Sequence, residues 1–228
     1  MLVLGIETSG PYTDVALVRD GEVIGNCFSG RRFAHSETLN LMVERLLNTN
    51  LLDFKDIELI GVSIGPGFFT ALRVGLSFAK ALAFTLGTRI IPVNTLDALA
   101  YEVDPQISTT AVPAIDAQKG EVYSAVFQWD GNFWVRVTSY AIVKPEVLAA
   151  EWPDAVFVGS GAIRHRLSPR PSHDPLSPRA SIIARLALQK INEPEIHPSQ
   201  LEPFYLRLPD AVVNKMLRER KGTFGGNS

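Results

Sequence analysis

The chain has 228 residues, 46% of them apolar and 20% charged, enough to close a sizeable core and too apolar for a disordered protein. Its one cysteine, Cys27, excludes an intramolecular disulfide framework and a cysteine-built metal site, and suits a reducing compartment. The net charge of −2 hides an asymmetry: residues 1–163 carry 11 Lys+Arg against 18 Asp+Glu, residues 164–228 carry 11 against 6, so only the last third has the sign to meet a phosphate backbone.

In chain order, Leu2–Glu7, Val15–Arg19 and Val23–Phe28 read as three strands, the last two joined by the hairpin signal Asp20-Gly21. A helix over Ser36–Asn48 follows, with Leu39, Met42, Val43, Leu46 and Leu47 on one stripe and Ser36 as the expected N-cap. The apolar run Leu59–Ile64, the turn Gly65-Pro66-Gly67, a helix over Phe69–Leu86 and a strand over Arg89–Val93 complete the first half. The second half repeats this order: strands Val112–Asp116, Glu121–Trp129 and Phe133–Thr138, a helix over Pro145–Glu151, a strand over Ala155–Val158, and a Gly159-Ser160-Gly161 turn. In each half an acidic residue, Glu7 or Asp116, closes the first strand, and a later strand runs into a Gly-x-Gly turn. The proline-rich loop 168–178 leads to a helix over Arg179–Lys190. The pattern predicts an α/β protein of two mixed-sheet lobes, residues 1–104 and 105–221, with a frayed tail at 222–228.

The helix over Phe69–Leu86 is apolar nearly all round, with only Thr70, Arg73, Ser77 and Lys80 forming a polar stripe. Two readings follow. Either it is buried between its own sheet and a neighbouring helix, or helices 36–48 and 69–86 together offer an apolar face to another protein. The second reading makes Leu39, Met42, Val43, Leu46, Phe69, Leu72, Arg73, Leu76, Ala79, Lys80 and Ala83 the candidate interface. No run of 18 uncharged apolar residues exists, and Met1–Glu7 lacks a basic region, so neither an anchor nor a signal peptide is expected and the cytoplasm is the expected location.

Three kinds of chemistry can be tested against the residues. Gly61-Val62-Ser63-Ile64-Gly65 matches the G-x-S-x-G nucleophile elbow, with Asp116 and His165 in the right chain order, but Pro66 and Gly67 delay the helix that should follow Ser63 at once. His35 has Leu39 at i+4, where a metal site on one helical face would want a second histidine. A phosphate cradle remains: Glu7, Thr8 and Ser9 after strand one, Gly65 and Gly67 before a helix, and Asp116 with Gly159 and Gly161 in the second half. The alternative is that these glycines only make tight turns.

Leu4-Gly5-Ile6-Glu7-Thr8-Ser9, the block Gly65–Leu76 with Ala79-Lys80, Ile115–Tyr123 and Pro203–Arg207 resemble the TsaB (YeaZ) family along nearly the whole chain. That resemblance implies two RNase-H-like lobes of the actin-like (ASKHA) kind around a cleft. It implies a non-catalytic subunit in forming N6-threonylcarbamoyladenosine at position 37 of tRNA. The expected partners are the paralogue TsaD, joined through the helices of the first lobe, and the ATPase TsaE, with a homodimer when the chain is alone. No cofactor, metal or catalytic residue is expected, and tRNA is expected to be met through the complex. Glu7 stands where the family commonly has aspartate, and its longer side chain is expected to crowd a nucleotide cleft that is already degenerate. A nucleotide-using phosphotransferase or ATPase of the same fold, or a serine hydrolase, are the alternatives.

Overall fold

In the computed structural model, which describes residues 1–169 and 176–207, strands β1 (Leu2–Glu7), β2 (Asp14–Arg19) and β3 (Glu22–Phe28) form an antiparallel meander. The β2–β3 turn places Asp20 and Gly21 at φ 51° and 88°, the two positive angles that a tight hairpin of right-handed strands requires. Strands β4 (Leu59–Gly65) and β5 (Arg89–Asn94) add in parallel beside β1, giving the order β3-β2-β1-β4-β5.

Every residue of β1 is buried because both faces of the sheet are covered. Leu2, Leu4 and Ile6 pack toward α1 (His35–Thr49) and α2 (Phe69–Leu86), while Val3 packs toward α6 (Ala180–Gln189) on the other face. Glycines make this second contact possible. A Cβ on Gly5 would stand 2.1 Å from the Ala180 carbonyl oxygen, and one on Gly61 would stand 2.7 Å from the Ala187 Cβ.

The second sheet repeats the first with shorter strands. β6 (Thr110–Asp116) pairs antiparallel with β7 (Val122–Ser124) and β8 (Phe127–Trp129) and parallel with β11 (Val156–Val158). β7 and β8 keep one register on β6, so the strand expected over Glu121–Trp129 exists, broken at Ala125-Val126. β9 (Trp134–Arg136) and β10 (Ala141–Val143) extend the sheet from β8 and β7 respectively. The result is two mixed sheets with flanking helices. Helices α3 (Thr95–Ala100), α4 (Pro145–Glu151) and α5 (Ser160–Arg164), with single 3-10 turns at Phe54–Asp56 and Pro198–Gln200, complete the described elements. α3 touches β4, β5 and β6 and so lies between the sheets.

Three expectations need correction. Among the described residues, those after 104 do not form a lobe of their own, because α6 and Leu201 return to the first sheet and supply part of its core. The segments 208–221 and 222–228 lie outside the described residues. Helix α1 begins at His35 after Ala34, with no side-chain cap, rather than after Ser36.

The candidate interface is the third correction. Leu39, Met42, Val43, Leu46, Leu72, Leu76, Ala79 and Ala83 are all buried in the chain's own core, so the inward stripes of α1 and α2 cover the sheet. Apolar surface does remain outside: Leu41 is 63% exposed and Phe84 77%, with Val74, Phe78 and Leu82 half-buried. By length and composition α2 could cross a membrane, yet its inner face is seated on β4 and it carries Arg73 and Lys80.

Candidate functional site

The C-terminal ends of β1, β4 and β6 converge on a cleft of about 350 Å³, at the crevice where ligands bind in open α/β sheets. From the first lobe come Ser9, Gly10 and Pro11 after β1, and Pro66, Gly67 and Phe68 between β4 and α2; from the second come Asp116, Ala117, Gln118 and Lys119 after β6, and Ser160 at the start of α5.

Glu7 does not reach this space. It is fully buried under the loop that follows it, where its Oε1 accepts hydrogen bonds from the Ser9 amide and, at 2.5 Å, from Ser9 Oγ. Burial pushes its carboxyl up to about 7, against the opposing pull of hydrogen bonds from Ser9 and Ser63. The expected crowding is therefore corrected: the longer side chain turns inward. Thr8 is likewise buried, its hydroxyl donating to the Ala71 carbonyl of α2 at 3.0 Å.

The phosphate-cradle reading finds its groups engaged. The Phe68 amide donates to the Ser9 carbonyl at 2.9 Å, tying the two loops together. Asp116 accepts from the Gln118 amide at 3.0 Å and from Arg164 at 2.7 Å, so both carboxylate oxygens already hold the turn in place. Of the expected cleft residues Ser9, Gly67 and Asp116 line it, while Glu7, Thr8, Gly65, Gly159 and Gly161 sit behind; Ser160, between the last two glycines, lines it as well.

The remaining candidates are structural too. Ser63 is buried within β4, where its Oγ accepts from the Thr8 amide at 3.4 Å, the wrong place for an exposed nucleophile. His35 is buried with Nδ1 2.9 Å from Thr13 Oγ1, and burial lowers its pKa; Leu39 lies in the core. Among the described residues no group of three His, Cys, Asp or Glu side chains could hold a metal ion.

Sequence reasoning matched Pro203–Arg207 to the family but gave it no place in the fold: the segment Leu201–Arg207 straps the two sheets across the cleft. Lys80 Nζ donates to the Leu201 carbonyl at 2.9 Å and the Phe204 amide to the Ile64 carbonyl at 2.8 Å. Tyr205 stacks on Phe69 at 5.3 Å and receives a 3.2 Å hydrogen bond from Arg73. Arg207 then donates to the Ala117 carbonyl at 2.7 Å and pairs with Glu121. Phe204, Tyr205, Leu206 and Arg207 all line the cleft. Thus Arg73 and Lys80, expected at a partner interface, hold the chain's own strap. A short aromatic run after a proline was the available signal.

Comparison with known proteins places this architecture. A family model described as TsaD, tRNA N6-adenosine threonylcarbamoyltransferase, matches residues 31–169. The chain is 35% identical over 170 residues to the tRNA threonylcarbamoyladenosine biosynthesis protein TsaB of Escherichia coli (strain K12), covering 71% of this chain and 72% of that protein. It is 29% identical over 234 residues to TsaB of Bacillus subtilis (strain 168), covering 92% and 96%. The solved structure of YeaZ from Pseudomonas aeruginosa superposes with a TM-score of 0.78 at 27% identity, over 90% of this chain and 99% of that one. With its two lobes, its engaged cleft residues and these relatives, the chain belongs to the TsaB (YeaZ) family of tRNA threonylcarbamoyladenosine biosynthesis proteins.

Proposed function

We propose that the chain is a non-catalytic scaffold and activator subunit that pairs with a TsaD paralogue, and in a larger assembly with TsaE, for N6-threonylcarbamoylation of adenosine in tRNA. The observation that carries this reading is the outer face of α1 and α2. Phe84, 77% exposed, and Leu41, 63% exposed, stand in water while the same helices already cover their own sheet. Large apolar side chains left in water on two helices that pack against each other suit a partner's helices better than solvent. The cleft supports the non-catalytic half of the proposal, since Asp116 and Ser63 already serve the fold.

The same face offers a homodimer contact when the chain is alone, which competes with the paralogue for one surface. Support of TsaD would then be organisational: occupying this face stabilises one arrangement of the partner. The test is light scattering on a sizing column, with the chain alone and mixed with TsaD from the same organism. A one-to-one complex is expected with the wild type, and its loss is expected with Phe84→Asp. Pairing unchanged by Phe84→Asp would move the interface elsewhere. Separate elution of the wild-type proteins under every nucleotide condition would overturn the proposal.

A further inference from the structure

A second exposed patch, distinct in chemistry from the outer face of α1 and α2, lies beside the mouth of the cleft. Phe28, Phe33 and Phe68 are 57%, 55% and 46% exposed. Tyr12 packs against Phe28 with ring centroids 5.1 Å apart, and Phe33 meets Phe68 edge-on at 5.1 Å. The Arg32 guanidinium bridges the two pairs, 6.0 Å from the Tyr12 ring and 5.5 Å from the Phe33 ring. Phe33 is held at φ 54°, a conformation that bulky residues rarely adopt, by the hydrogen bond from its amide to the Pro11 carbonyl at 2.7 Å. Arg32 and Phe68 also line the cleft.

We infer that this patch is a stacking platform for the unpaired bases of an RNA strand. Exposed aromatic rings give π-faces to which any unstacked base can be added, and a guanidinium among them meets the backbone phosphate or stacks on a base itself. Charge favours this occupant locally, although the first lobe is acidic as a whole. Nearby carboxylates are held by other arginines: Glu37 pairs with Arg31 at 2.8 Å, and Asp116, which lines the same cleft as Arg32, pairs with Arg164 at 2.7 Å. Arg32 instead rests on rings.

The inference rests on the family's place in tRNA biosynthesis and deepens it by giving this chain its own RNA contact. It does not require pairing with TsaD, so the two readings can fail separately. The test is fluorescence anisotropy of the full chain with a labelled single-stranded RNA decamer of mixed sequence at low salt, and with the same strand annealed to its complement. The single strand is expected to bind and the duplex to bind more weakly. Phe33→Ala and Phe68→Ala should each weaken the single strand about tenfold, and Phe33→Trp should retain it. Arg32→Ala should weaken it and flatten the dependence on salt. Phe133→Ala, at an exposed residue of the β8–β9 turn at the end of β6 away from the cleft, should change nothing. Phe33 is exposed, so its replacement leaves the core intact, and circular dichroism verifies that each variant is folded. No binding of the single strand, equal binding of strand and duplex, or ring variants indistinguishable from the wild type would each overturn the inference. Loss of TsaD pairing in Phe33→Ala, with RNA binding intact, would assign the patch to a protein and overturn it as well.

Discussion

At Glu7 a fully buried carboxyl keeps its proton to about pH 7, because removing an anion from water costs more than the hydrogen bonds from Ser9 and Ser63 return. Asp14, on the neighbouring strand, is raised to about 6 for the same first reason, partly opposed by the Ala180 amide that donates to it at 2.8 Å. The consequence for stability has a definite sign. In the unfolded chain Glu7 loses its proton near 4.5, while in the folded chain it holds it to about 7. Between these values the folded state binds more protons, so stability falls as pH rises, and it levels off above the folded value. Urea midpoints are therefore expected to decline between pH 5 and pH 8. Glu7→Gln should remove the Glu7 share of that decline, which runs from about pH 4.5 to about pH 7, a difference of about 1–3 kcal/mol at pH 8. Superimposable pH profiles for the two proteins would show that Glu7 is ionised in the fold. Sequence reasoning found Glu7 as a cleft residue and had no means to see that its side chain turns inward. Strand position fixes the face of a residue, but not how a long side chain at the strand's end folds back.

Among the elements, α2 is where patterning and packing separate. Its limits, Phe69–Leu86, follow from the turn before it and from Gly87, which ends it at φ 65°. Its orientation could not be read, because a helix apolar on most of its circumference has no single inward stripe. Packing resolves the ambiguity: a Cβ on Gly75 would stand 2.1 Å from Thr8 Oγ1, which places that side of α2 directly on the end of β1. Leu76, the next residue, is 4% exposed, while Phe84, nine positions on and half a turn round the helix from Gly75, is 77% exposed. Leu76→Ala is accordingly expected to cost about 2–5 kcal/mol in urea unfolding, and Phe84→Ala no more than about 0.5 kcal/mol. The reverse order would mean that α2 is rotated about its axis. Elements with strong period were legible: β1 to β5, α1, α2 and α6 all lie close to where alternation or 3.6-residue spacing puts them. Missed were the short pieces whose reasons are tertiary. α3 is six residues long, started by the Asn94 side chain accepting from the Leu96 amide at 2.9 Å. β10 is three residues, and the strap Leu201–Arg207 has no period at all.

For the whole molecule the decisive contact joins distant parts of the chain. The amphipathic pattern of α6 announced a buried face, but nothing local stated which sheet it would bury. It covers the first sheet, with Ile182, Ile183, Leu186 and Ala187 against Val3, Val18, Leu59, Ile91 and Val93. Its N-terminus is fixed there by polar contacts: the Ala180 amide donates to Asp14, and Arg179 pairs with the buried Glu102 at 2.8 Å. Removing α6 would expose five large aliphatic side chains of the sheet, each worth about 1.5–3 kcal/mol when buried. That loss, on the order of 10 kcal/mol, is comparable with the whole stability of an ordinary domain. Residues 1–104 produced alone are therefore expected not to fold: their amide spectrum should show poor dispersion and the fragment should bind an apolar dye. A chain rearranged so that 176–207 precedes residue 1 through a flexible linker should restore cooperative unfolding to the first lobe. A cooperative transition in 1–104 by itself would show that α1 and α2 suffice to hold the sheet, and that α6 serves mainly to fasten one lobe to the other.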